Sequence, residues 1–403
     1  MKTVTWKFHT PTRLVFGEGV SGTIGDEIRQ IGCSSPMLVA DKGLSDAGLV
    51  GRVRAHLDDA KINVTVFDGV EANPSSENVH AGVEHAKKNS CDSVIALGGG
   101  SPIDVAKAIA ILSVHDGAIT DYEIGKQEFA RHGLPLITIP TTSGTGSEVT
   151  WWSVITDPIT HRKFDVGTPL MAAIAALDDP ELTYGLPAPI TGATGMDALT
   201  HAIEAFTTRN AGPHTDALAF QAIALIGKHL KTAFSEPGNR EARRMMMLAS
   251  ATAGLAFPNA GLGAVHGLTA PIGGHLGVPH GQANAALLPF VMEFNMPACI
   301  DKYAAIAMHW GEDHDCSDKE ALAERAINMV KDMLKVFEIP ALSDMGVTIE
   351  NIPALAKDSM GKFSNNNSNP LSVTQEDAEK ILTRAIEPIG AAAASSDNKS
   401  TVK

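Results

Sequence analysis

Short apolar runs separated by stretches of helical spacing fill the first half of the chain, and this alternation restricts its fold more than any other feature. Met37-Leu38-Val39-Ala40, Val64-Thr65-Val66-Phe67, Ser93-Val94-Ile95-Ala96-Leu97 and Leu136-Ile137-Thr138-Ile139 each read as a strand. Between them, residues 49–60 and 77–88 place apolar side chains at helical intervals. Strands that alternate with helices pair in parallel, with helices covering both faces of the sheet. Ligands of such sheets sit beyond the carboxyl ends of the strands, so the residues just after each strand carry the functional information.

After the third run comes Gly98-Gly99-Gly100-Ser101-Pro102-Ile103-Asp104. Glycines let the backbone approach a ligand closely, and Pro102 suits the first turn of a helix. Free N–H groups at the positive end of that helix suit a pyrophosphate, although the spacing is not GxGxxG and a plain glycine turn fits it equally well. Asp41 follows the first run; a carboxylate there accepts hydrogen bonds from an adenosine ribose and repels a 2′-phosphate, which favours NAD over NADP. Taken alone, Asp41 also fits an ordinary Asx turn. The fourth run leads into Pro140-Thr141-Thr142-Ser143-Gly144-Thr145-Gly146-Ser147-Glu148, a loop rich in small hydroxyl donors without steric bulk. Residues 151–156 read as another strand, and Lys163 lies beyond the turn that follows, where it reaches a cofactor hydroxyl or phosphate or is simply solvated.

At 403 residues the chain exceeds one ordinary core. Breakers cluster between Asp178 and Pro189, which sets an expected boundary: an α/β domain over 1–188, an all-helical domain over 189–390 and an unstructured tail over 391–403. In the second half, residues 195–206, 215–230, 240–256, 319–336 and 375–385 have helical spacing and no strand is convincing. A hydrophobic content of 44% with 19% charged residues is that of a soluble globular protein, and a net charge of −14 argues against nucleic acid or an anionic membrane surface. No signal-peptide pattern and no uninterrupted apolar run of spanning length is present. The four cysteines are scattered without CxxC spacing and read as reduced thiols, which places the chain in the cytoplasm.

In Gly195-Met196-Asp197-Ala198-Leu199-Thr200-His201, the aspartate and histidine stand four residues apart with no helix breaker between them, so both project from one helix face. Val265-His266-Gly267 and Pro279-His280-Gly281 add two glycine-flanked imidazoles. One carboxylate and three imidazoles around a divalent metal leave room for a substrate oxygen.

With these blocks assembled, the chain resembles the group III, iron-dependent alcohol dehydrogenases, from Phe16-Gly17-Glu18-Gly19 through Asn369-Pro370-Leu371-Ser372-Val373-Thr374. The resemblance implies an N-terminal dinucleotide-binding α/β domain and a C-terminal helical domain with metal and nicotinamide between them. It implies Fe²⁺ (Zn²⁺ or another divalent ion being alternatives) on Asp197, His201, His266 and His280, and NAD on Asp41, Gly98, Gly99, Gly100, Ser101, Asp104, Thr141, Thr142, Ser143, Thr145 and Lys163. The implied chemistry is Lewis-acid activation of a substrate oxygen with hydride transfer to the nicotinamide, between a small primary alcohol or aldehyde and NAD. A homodimer or larger homo-oligomer is implied as well. Where many relatives carry a further histidine, four residues after the third ligand, this chain has Ala270; His275 is the nearby candidate to replace it, and Trp151, Trp152, Phe257 and Ala270 are expected to line the substrate pocket. A polyol or hydroxy-acid-type aldehyde dehydrogenase is the neighbouring expectation, and a metal-dependent hydrolase the one from another class.

Overall fold

The computed structural model describes residues 6–160, 162–311 and 316–387, so the expected unstructured tail at 391–403 lies outside the described residues. Among the described residues eight strands form, β1 (Arg13–Phe16), β2 (Pro36–Asp41), β3 (Thr65–Val70), β4 (Ser93–Gly98), β5 (Leu136–Pro140), β6 (Trp152–Asp157), β7 (Arg162–Gly167) and β8 (Ala175–Asp178). Six of them make one parallel sheet in the order β1-β8-β5-β4-β2-β3. Its central strands β4 and β5 are buried along their whole length, which is why their sequences are continuous apolar runs rather than alternating ones.

Five helices cover this sheet: α1 (Ile24–Gln30), α2 (Lys42–Asp46), α3 (Leu49–Asp59), α4 (Ser76–Lys88) and α5 (Gly100–Leu112). Successive side chains of a strand point to opposite faces, and the two cores follow from that rule. Leu38 and Ile95 join Ile24, Ile28, Val53 and Leu57 beneath α1 and α3. Met37, Val39 and Val94 join Val79, Val83, Ile103 and Ile109 beneath α4 and α5. The strand expected near 151–156 forms as β6, but it pairs antiparallel with β7 in a separate two-stranded ribbon rather than joining the main sheet.

From residue 188 onward the described residues are helical: α6 (Ala188–Thr207), α7 (Pro213–Ser235), α8 (Arg240–Ala260), α9 (Ala264–Leu276), α10 (His280–His309), α11 (Lys319–Val336), α12 (Ile352–Asp358) and α13 (Gln375–Ala385), with short 3₁₀ turns between some of them. Helix α6 is the axle of this region, buried continuously from Gly195 to Thr207 and packed by α7, α8 and α10. Its close approach to α7 depends on Gly195, where a Cβ would stand 2.2 Å from Leu230 Cδ1. Helix α10 meets the length and apolarity of a membrane-crossing helix, yet most of it is buried in the core against α6, α9 and α11.

The two regions meet through missing side chains. A Cβ on Gly144 would lie 2.7 Å from Cβ of Thr194 on α6, and one on Gly146 would lie 2.6 Å from Cα of Gly254 on α8. Gly146 also has φ of 61°, a conformation that glycine adopts without strain. The hydroxyl-rich loop after β5 is thereby seated on the helices that follow it in the chain.

Candidate metal centre

Helix α6 presents Asp197 and His201 one turn apart, α9 presents His266 in its first turn, and α10 begins at His280. One ligand atom from each of the four lies within 4.8 Å of the others. Asp197, His201 and His266 are buried, whereas the His280 side chain keeps 40% of its exposure and marks the open side. Burial alone would raise the Asp197 carboxyl; the imidazoles of His201, His280 and His266 and the amide of Asn284 bring it below its ordinary value instead. Burial pushes His201 down to about 4 and lowers His280 as well, so both rings stay neutral with a lone pair to offer near neutral pH.

The set is chemically suited to a divalent first-row metal: three imidazoles, one carboxylate and a buried His201 Nδ1 with no hydrogen-bond partner among the described residues. Two residues that the sequence reading passed over complete it. Glu204 Oε2 sits 2.5 Å from His266 Nδ1, while Oε1 accepts the Val265 N–H at 2.7 Å. The carboxylate therefore both caps the positive end of α9 and fixes which nitrogen of His266 carries the proton, leaving Nε2 toward the other ligands. Asn284, fully buried, brings its amide nitrogen within 2.7 Å of Asp197 Oδ1. Both were detectable from helical spacing, since Glu204 follows His201 by three residues and Asn284 follows His280 by four. Asn369 secures the same corner, accepting from Ala264 N at 3.1 Å and exchanging hydrogen bonds with Asn295.

Most of the expected cofactor residues lie at the carboxyl ends of β2, β4 and β5, with Asp104 inside α5 and Lys163 on β7. Gly98 to Ser101 run from β4 into α5, and Thr141 N donates to Gly98 O at 3.0 Å. A Cβ on Gly99 would stand 3.1 Å from Thr142 Oγ1, and one on Gly100 would stand 2.8 Å from Thr145 Cγ2, so the glycine and hydroxyl loops are in contact. Ser143 is buried next to them, and Ser101 Oγ donates to Ala72 O at 2.7 Å. Asp41 accepts from Leu44 N at 2.9 Å and caps α2 from a partly exposed position. Lys163 Nζ donates to Asn73 Oδ1 at 3.2 Å and lies 3.0 Å from where a Cβ on Gly273 of α9 would be, bridging the two regions.

Two of the expected site residues have protein partners of their own. One Asp104 oxygen takes Ser147 Oγ at 2.5 Å and the other Val154 N at 2.9 Å, with Lys107 beside it, so Asp104 cross-links α5 to β6. His275 stands outside the converging four; its Nε2 pairs with Asp358 Oδ2 at 2.8 Å, and both side chains are about half exposed. Of the expected pocket residues, Phe257 stacks directly on His201, with ring centroids 4.6 Å apart and planes 17° from parallel. Trp151 faces the His9 ring at 5.8 Å, the Trp152 ring covers Gly167 on β7, and Ala270 lies exposed on α9, one turn beyond His266.

Comparison with known proteins gives two family matches, iron-containing alcohol dehydrogenase over residues 11–180 and the C-terminal part of the Fe-containing alcohol dehydrogenase family over 191–386. The chain is 41% identical over 359 residues to a choline dehydrogenase of Bacillus subtilis (strain 168), covering 88% of this chain and 89% of that one. It is similar to a crystal structure of 1,3-propanediol oxidoreductase, with a TM-score of 0.91 and 37% identity over 95% of this chain and all (100%) of that one. A sulfoacetaldehyde reductase from Bifidobacterium kashiwanohense in complex with NAD+ matches with a TM-score of 0.85 and 33% identity, covering 95% of this chain and 99% of that one.

Proposed function

The chain belongs to the iron-containing alcohol dehydrogenase family, and from that premise we propose that it interconverts a small primary alcohol and its aldehyde with NAD, using iron held by Asp197, His201, His266 and His280. It is an oxidoreductase acting on CH–OH groups. The observation that carries the reading is the convergence of four ligand atoms within 4.8 Å, beside a hydroxyl-rich loop seated on ligand-bearing α6 and on α8. A hydrolase has no use for the glycine and hydroxyl loops that adjoin the cage.

A divalent ion in this cage supplies Lewis acidity toward a substrate oxygen. The residues do the rest. Glu204 holds His266 in one tautomer, and burial keeps His201 and His280 neutral. The charge of Lys163 is held near His280 at the junction between the nucleotide loops and α9. Phe257 shields one face of His201 from water. At Ala270 no side chain can carry a proton, so no relay runs through that position.

Choline, propanediol and sulfoacetaldehyde, the compounds in the names of the three relatives, share a terminal alcohol or aldehyde with a polar group at the far end, and a substrate of that form is the class we favour. The test is a steady-state panel of such alcohols and aldehydes with NAD and NADP, after loading with Fe²⁺ or Zn²⁺ separately, read by the reduced-nicotinamide absorbance. No turnover with any member would sink the proposal. We also place the protein in the cytoplasm, on the strength of four free cysteines, and expect a homodimer, which light scattering will test.

A further inference from the structure

The amide of Asn284 touches more of the metal cage than any protein group outside the four ligands needs to. Its nitrogen lies 2.7 Å from Asp197 Oδ1, 3.0 Å from His280 Nε2 and 3.1 Å from His266 Nε2. Its own oxygen, equally buried, has no hydrogen-bond partner among the described residues. Asn284 is fully buried in the first turns of α10, one turn beyond His280, so the side chain has no solvent to turn toward.

These contacts make the two ends of the amide unequal. His266 carries its proton on Nδ1, against Glu204, so its Nε2 is a lone pair and so is the Asp197 oxygen. Toward free lone pairs the N–H end fits. Toward a divalent cation lying among those same atoms it does not, because an N–H dipole then points its positive end at a positive charge. A half-turn about Cβ–Cγ exchanges nitrogen and oxygen at almost no steric change, and this torsion is broad and roughly two-fold. It brings to the cage a carbonyl oxygen that otherwise stays buried without a partner, which is costly in itself.

We propose that Asn284 is a fifth member of the metal site, whose amide turns to present Oδ1 to the bound cation. The inference rests on the reading that the four ligands hold a metal. It adds a neutral oxygen donor to one carboxylate and three imidazoles, which moves the site toward the harder end of the first-row series. It also makes the cage respond to its occupant, since the same side chain holds Asp197, His266 and His280 together through N–H contacts when no cation competes for them.

The experiment uses the full-length enzyme, stripped of metal with a chelator and titrated with Co²⁺ in competition with a chromophoric chelator. Wild type, Asn284→Leu and Asn284→Asp are compared, with far-UV circular dichroism on each. Leucine matches the shape of asparagine without polar atoms, and it is expected to weaken Co²⁺ binding roughly 10–100-fold. Aspartate separates ligation from mere support. A carboxylate facing the cation is expected to tighten binding at least about tenfold, whereas a side chain whose role is to donate to Asp197 would be repelled by it and would weaken binding. Unchanged affinity in Asn284→Leu, or equal or weaker affinity in Asn284→Asp, overturns the proposal. If the leucine variant fails to fold, the aspartate variant alone decides. Wild-type enzyme that binds no Co²⁺ would overturn the metal reading beneath it, so the two failures are distinct.

Discussion

Glu204 Oε2 lies 2.5 Å from Nδ1 of His266 and, through its other oxygen, receives the Val265 N–H at the start of α9, so one carboxylate sets both the helix and the ring it carries. Glu204→Gln keeps the shape and loses the charge. It is expected to weaken metal affinity roughly 10–100-fold, the usual consequence of losing an outer partner of a ligand. Chelator competition measures it, and an affinity equal to wild type would show that the orientation of His266 comes from packing alone.

Asp41 caps α2 and is also the carboxylate expected to face the adenosine ribose. Asp41→Asn retains the cap and removes the charge. The ratio of kcat/KM with NADP to that with NAD should rise several-fold, since a charge pair in water-like surroundings is worth about 1 kcal/mol. Asp41→Gly should move the ratio the same way with a stability loss of only a few tenths of a kcal/mol. A ratio that stays put in both variants removes Asp41 from cofactor choice.

Glu148 is 3% exposed, and burial pushes its carboxyl up to about 7 even though Lys107 draws it down. Asp178, fully buried with neither oxygen hydrogen-bonded among the described residues, is raised by burial and by Glu148 in turn. Between the ordinary value of 4.5 and about 7, the folded chain keeps a proton at Glu148 that the unfolded chain has released. Stability therefore falls as pH rises through that window. Glu148→Gln, neutral throughout, should flatten the slope in melting curves taken from about pH 4.5 to about pH 8; parallel slopes for the two proteins would refute the assignment.

Trp152 covers Gly167 on the neighbouring strand, where a Cβ would come within 2.2 Å of the ring. Trp152→Ala is expected to lower the melting temperature and to change the relative kcat/KM for short and long primary alcohols. A lower melting temperature with unchanged preference would assign the ring to packing.

Gly195 stands two residues before Asp197 and faces Leu230. Gly195→Ala forces α6 and α7 apart and is expected to destabilise the fold by about 1–3 kcal/mol, the range for overpacking a tight interface. Thermal unfolding in the presence of chelator reads this directly, and no change would mean that Leu230 gives way freely.

The parallel sheet and the Asp197–His201 pair were legible in the sequence because each rests on local periodicity, buried strands as apolar runs and the pair at one helical turn, whereas His266 and His280 were drawn in by their glycine-flanked motifs and the family resemblance. Helices α9 and α10 are not among the helical spans expected from the sequence, and in α9 the glycines Gly267, Gly273 and Gly274 dilute the apolar spacing. At Gly267 a Cβ would lie 2.2 Å from Asn366 Oδ1, so glycine is there to admit a neighbour rather than to break a helix. The strands β1, β7 and β8 escaped for another reason. β1 and β8 are only four residues each, and β7 alternates charged and apolar residues in a partly exposed ribbon. The partners of Asp104 and His275 were not legible, because spacing reports which residues share a face, not which group from elsewhere in the chain arrives there.

The contact of Gly146 with Gly254 has a consequence for recombination. Two backbones touch there without an intervening side chain, so the separation between the hydroxyl-rich loop and α8, which packs on ligand-bearing α6, is written half in each portion of the chain. A chimera that takes its first portion from one family member and its second from another will retain that separation only where both parents place glycine at these two sites. The portions are heritable as a matched pair, and a library built by crossing over between them should be sorted first by this pair of positions.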